Sequence, residues 1–130
     1  MKRLSKKLPL GGLGGILILF FSLFTLTTAH AQDAKELYKK GKELYEAKKY
    51  NEAFPILKTA ADKGNKKAQY ALGRCYMKGN GTTADPQKAK TWLSKAIKNA
   101  KGGDEILKEV KEKAKEGDDD AKNILKIVGK

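Results

Sequence analysis

Residues 68–97, AQYALGRCYMKGNGTTADPQKAKTWLSKAI, constrain the fold of this chain more than any other stretch. They predict two short amphipathic helices joined by a glycine-rich loop. Ala68, Leu72, Gly73 and Tyr76 share one face of the first helix, which ends at Gly79. The second begins at Asp85-Pro86, an acidic cap followed by proline at the first helical position, and carries Ala89, Trp92, Leu93 and Ala96. A helix pair this small cannot bury both of its apolar faces by itself. It requires a neighbour of the same kind.

That neighbour lies upstream. Gly41, Ala53 and Ala60 correspond to Gly73, Ala89 and Ala96; the spacing between the two alanines is 7 in both units. Gly41 to Ala53 spans 12 positions and Gly73 to Ala89 spans 16, so the 4 extra residues fall in the inter-helix loop, where insertion costs little. A third start signal lies near the end: Gly64-Asn65 leads to Ala68 and Leu72, and Gly117-Asp118 leads to Ala121 and Leu125. Each is a helix-ending glycine followed by a side-chain cap. The pattern predicts helices over about 33–48, 51–63, 66–78, 86–101, 104–116 and 119–128, grouped into units of about 33–64 and 65–101 and a degenerate cap over 102–130. Ile106, Leu107, Val110 and Ala114, with Ile124, Leu125 and Val128, form the apolar stripe of that cap. Pro55 predicts a bend or a later start in the second helix. Gly41 and Gly73 sit inside helices, where glycine costs about 1 kcal/mol relative to alanine, which predicts close approach of the paired helix at both points.

These residues resemble the Sel1-like repeats, relatives of the tetratricopeptide repeats. Ala68, Leu72, Gly73, Tyr76, Gly79, Gly81, Asp85, Lys88, Ala89, Trp92, Lys95 and Ala96 stand at positions of the family pattern, with Thr82, Leu93 and Ile97 as departures. The upstream unit is looser and more tetratricopeptide-like. The resemblance implies an all-α fold, a short right-handed α-solenoid of antiparallel helix pairs. It also implies a non-catalytic protein–protein interaction module without a cofactor. In such solenoids the first helix of each pair lines a concave binding face. Carried over by alignment on Gly41 and Gly73, that face comprises Tyr38, Lys42 and Tyr45 in unit one, and Lys67, Tyr70, Arg74, Met77 and Lys78 in unit two. Cations mixed with aromatic rings suit an acidic peptide, a chain-end carboxylate or an anionic polymer. Arg74 is the only arginine after residue 31 and so the only side chain there able to grip a carboxylate with two parallel hydrogen bonds.

The first 31 residues are of another kind. Lys2, Arg3, Lys6 and Lys7 precede an apolar run from Leu8 to Leu26, and Ala29-His30-Ala31 follows. This pattern predicts a secretory signal peptide cleaved after Ala31, leaving a repeat domain over 32–130 that is exported to the periplasm or secreted. Glycines at 11, 12, 14 and 15 weaken the rival reading as a membrane anchor; membrane contact through this run is expected only if it is retained. Cys75 is the single cysteine, so no internal disulfide forms. It reads as a small buried hydrophobe, with an intermolecular disulfide as the alternative in an oxidising compartment.

Charge and residue inventory narrow the function. Residues 33–64 carry a net +2, 65–101 a net +8 with Asp85 as the only acid, and 102–130 a net −1. The expected partner is therefore a protein or peptide of acidic character. The alternative is an anionic lipid or polysaccharide; nucleic acid is not expected for an exported chain. After residue 31 there is no histidine and the only serine is Ser94, which leaves Ser-His and Cys-His catalysis without a base and excludes His/Cys zinc sites. Asp118-Asp119-Asp120 reads as a helix N-terminus rather than a calcium loop. Gly79-Asn80-Gly81-Thr82 lacks the Gly-Lys-Ser/Thr ending of a phosphate loop and reads as a repeat connection. No enzyme activity is expected.

Overall fold

The structure, a computed structural model, describes residues 30–130, with side chains from Asp33 onward. The predicted signal segment and its cleavage fall outside the described residues, apart from the backbone of its last two positions. Six helices follow one another: α1 (His30–Glu46), α2 (Tyr50–Asp62), α3 (Lys66–Lys78), α4 (Pro86–Ile97), α5 (Gly103–Lys115) and α6 (Asp119–Val128). Among the described residues there is no strand. Short connections make neighbouring helices antiparallel, and α3 packs on both α2 and α4 while α4 also meets α5 and α6. The arrangement is a short α-solenoid, and Ala34–Lys130 form one compact unit.

The internal repeat is visible in the packing. Ala53, Leu57 and Ala60 on α2, and Ala89, Leu93 and Ala96 on α4, are all fully buried. Each leucine lies against the glycine of the preceding helix. A Cβ built on Gly41 would fall 2.7 Å from Leu57 Cδ2, and one on Gly73 would fall 2.6 Å from Leu93 Cγ. The two glycines thus let paired helices approach more closely than any side chain would permit. A small cluster of Ala53, Leu57 and Cys75 joins the first unit to α3. A larger core runs from Ala60 through Leu72, Tyr76 and Leu93 to Ile106, Val110, Ala121 and Ile124, so the degenerate third pair closes the end of a continuous core. Capping repeats as well. The Asn65 side chain accepts from Ala68 N at 2.9 Å and that of Asp118 from Ala121 N at 2.8 Å, while Asp85 accepts from the amides of both Gln87 and Lys88.

Four details differ from the sequence expectation. Helix α1 begins at His30, inside the predicted cleavage motif, and stops at Glu46 because Lys48 takes a left-handed φ of 62° to turn the chain. Helix α2 begins at Tyr50 and contains Pro55 rather than starting after it. The N–H that Pro55 lacks would have met the carbonyl of Asn51, an exposed residue in the first turn of the helix. Helix α4 ends at Ile97, not near 101. There Asn99 breaks the ladder: its side chain accepts from Lys101 N at 2.9 Å and donates to Gly64 O at 3.1 Å and to Gln69 Oε1 at 3.1 Å. This ties the end of unit two back to the turn that begins it.

The 4 extra loop residues of unit two also pack. Gly81 has φ of 76° and lies directly on the backbone carbonyl of Tyr50, with Phe54 Cβ 2.9 Å from where its own Cβ would be. Asn80 Nδ2 donates to Tyr45 Oη at 2.9 Å. The glycine-rich segment is a clasp between units.

Candidate functional site

The first helices of the pairs, α1 and α3, together with α5 of the cap, enclose an open cavity of about 440 Å³. Tyr38, Lys42, Tyr45 and Glu46 come to it from α1, and Lys67, Tyr70, Ala71 and Arg74 from α3. Helix α5 adds Ile106, Glu109, Val110 and Lys113, and Leu57 of α2 contributes to the lining. The positions on α1 and α3 follow helical spacing of three and four, which sets each group on one side of its helix.

Arg74 is the electrostatic centre. Its guanidinium carbon stands 6.0 Å from the Tyr45 ring centroid and 5.9 Å from that of Tyr70, placing the cation between two aromatic rings. One terminal nitrogen, Nη2, lies 3.6 Å from an Asp120 oxygen, too long for a good hydrogen bond. Its Nε is buried and has no hydrogen-bond partner among the described residues. A buried donor left unpaired is expensive, so this guanidinium has unused capacity.

The remaining polar groups are mostly balanced within the protein. Lys113 pairs with Glu109 at 2.9 Å and Lys42 with Glu46 at 3.7 Å, each one turn apart on its own helix. The hydrogen bond to Glu109 is the main reason the Lys113 ammonium is held above its ordinary range. Burial pushes the Tyr38 phenol upward, and Glu46 and Glu109 add to the effect. Burial also raises Tyr70, while Arg74 and Lys113 pull the other way. Neither the Tyr38 nor the Tyr70 hydroxyl is hydrogen-bonded to another described residue, so both can meet a ligand. Cys75, one residue from Arg74, is buried, and burial pushes its thiol to about 11. It is inert at neutral pH.

Of the eight positions expected on the concave face, Tyr38, Lys42, Tyr45, Lys67, Tyr70 and Arg74 line this cavity. Met77 does not; it is half-buried against the main core. Lys78 does not line it either. It donates to Asp120 on α6 at 2.7 Å, which raises Lys78 and holds the Asp120 carboxyl below its usual range. Nor are all eight fully exposed: the three tyrosines, Arg74 and Met77 are half-buried, while Lys42, Lys67 and Lys78 are exposed. Sequence reasoning missed the α5 wall, above all Glu109 and Lys113. That helix has Val110, not glycine, packed in its core face, so no shared glycine anchors its alignment to α1 and α3.

No group of acidic, cysteine or histidine side chains suited to a metal ion occurs among the described residues. Residues 66–100 match the model of the Sel1 repeat, a span that takes in α3, the clasp loop and α4. No curated protein and no solved structure matches the chain.

Proposed function

We propose that this chain, whose residues 66–100 match the Sel1 repeat, a family that generally acts in protein–protein interaction, is an exported adaptor that binds an acidic segment of a protein partner in the cavity between α1, α3 and α5. Export rests on the charged, apolar and Ala-x-Ala order of the first 31 residues. The observation that carries the binding proposal is the under-satisfied Arg74 guanidinium, held between Tyr45 and Tyr70 at the cavity wall. A partner carboxylate meets the part of the Arg74 side chain that remains exposed, with Lys67 exposed nearby and the free Tyr38 and Tyr70 hydroxyls as further contacts. Glu46 and Glu109 at the same cavity oppose indiscriminate binding of anions and restrict where the acidic group can sit.

The test is fluorescence anisotropy with a labelled glutamate-rich peptide and its glutamine-rich counterpart. The glutamate peptide binds saturably and the glutamine peptide does not. Arg74→Lys keeps the charge but loses the planar donor fork, and weakens binding by about tenfold or more, the value of a charge-assisted hydrogen bond. Unchanged affinity in a folded Arg74→Lys protein refutes the site.

A further inference from the structure

Helix α4 and the turn after it carry Lys88, Lys90, Lys95, Lys98 and Lys101, all exposed, and none forms an ion pair with a described residue. Elsewhere in the domain, lysines 42, 58, 66, 78, 113 and 122 each lie within 4.0 Å of a carboxylate. Others, such as Lys39, Lys40, Lys108 and Lys111, are unpaired too; what sets this stretch apart is that Asp85 is the only acid between 65 and 101 and its carboxylate is engaged by the amides of Gln87 and Lys88. Two of the five lie over aromatic rings: Lys95 Nζ is 4.5 Å from the Trp92 centroid and Lys88 Nζ 5.5 Å from that of Tyr76. A ring face steadies an ammonium without cancelling its charge.

These residues form a surface separate from the peptide cavity, to which α4 contributes no lining side chain. At 100° per residue, Lys88, Thr91, Trp92, Lys95 and Lys98 fall within about 120° of one another, on an arc centred about 130° around the helix from its buried Ala89, Leu93 and Ala96. The face is about 15 Å long. It is borne by a single helix that takes no part in the lining of the α1–α3–α5 cavity. An array of anionic headgroups meets such a face without needing a groove, and Trp92, half-buried against the core at the edge of the face, has the apolar body and polar edge suited to a water–lipid boundary.

We propose that the outer face of α4 is a docking surface for anionic lipid headgroups, which holds the repeat domain on a membrane surface while the α1–α3–α5 cavity faces a protein partner. Each lysine near an anionic membrane contributes about fivefold to partitioning. Replacing Lys88, Lys95 and Lys98 together by glutamine therefore weakens attachment by about a hundredfold.

The experiment is co-sedimentation of the 32–130 protein, the compact repeat unit without the apolar leader, with vesicles. One set contains equal parts of phosphatidylglycerol and phosphatidylcholine; the other contains phosphatidylcholine alone. The proposal expects sedimentation with the first set only, loss in the folded triple glutamine variant, and retention in Arg74→Lys. No sedimentation of the wild type, or equal sedimentation of the triple variant, overturns it. Loss in Arg74→Lys also overturns it, by assigning the lipid to the cavity. Heparin that binds the wild type but not the triple variant, with no vesicle binding by either, shows instead that the face takes soluble anionic chains.

Discussion

Gly73→Ala tests the packing on which the repeat rests. A methyl at this position stands 2.6 Å from Leu93 Cγ, 2.8 Å from Leu93 Cδ2 and 3.1 Å from the Leu93 backbone nitrogen. Leu93 is fully buried, so its side chain has no solvent to move into. The backbone nitrogen yields only if α4 as a whole moves off α3. Overpacking of this kind costs about 1–3 kcal/mol, and alanine's better helix propensity returns about 1 kcal/mol. The net loss is about 1 kcal/mol, which lowers the melting temperature by about 4–8 °C in a domain of this size. Circular dichroism through urea and thermal unfolding of the 32–130 protein measures it. Leu93→Ala alone costs about 2–5 kcal/mol. In the double variant the new methyl occupies part of the space vacated by the leucine, so the combined loss falls short of additivity by more than about 0.5 kcal/mol. Gly41→Ala is milder, because its nearest neighbours are the Leu57 and Ile56 side chains and not backbone. A Gly73→Ala protein as stable as the parent, or additive losses in the double variant, refutes the close-approach argument.

Other outcomes follow from the same geometry. Asp118→Ala removes the cap on Ala121 N and costs about 1 kcal/mol in urea unfolding, with α6 fraying first in hydrogen exchange. Cys75, raised to about 11 by burial, does not react with a thiol reagent at pH 8 in the folded protein and reacts at once in denaturant. The Asp120 carboxyl is held low by the Lys78 hydrogen bond, so its stabilising effect is present above the unfolded value of about 4 and is lost as pH falls through the lower folded value. Asp120→Asn therefore flattens the acid limb of a stability-versus-pH profile. Both partners are substantially exposed, so the change is small.

Much of the fold is legible in residue order. Gly41 and Gly73 predict close helix contacts because a glycine inside a helix is otherwise a pure cost, and the structure places Leu57 and Leu93 there. Asn65, Asp85 and Asp118 announce helix starts because capping is local chemistry between residues two or three apart. Pro55 misleads, since whether a lost hydrogen bond matters depends on solvent at the Asn51 carbonyl. The site is legible only in part. Periodicity on α1 and α3 puts Tyr38, Tyr45, Tyr70 and Arg74 on a common side, but Lys78 leaves that set because Asp120, 42 positions later, captures it.

Helices, caps, the repeat period and the bias of positive charge toward 65–101 are determined by the sequence itself, because each depends on residues within a few positions or on simple count. Tertiary structure decided which charges remain free. It brought Glu109 and Lys113 to the cavity, paired Lys78 with Asp120 and left Arg74 Nε without a partner. Those outcomes depend on distances between side chains far apart in the chain, which local propensity does not encode.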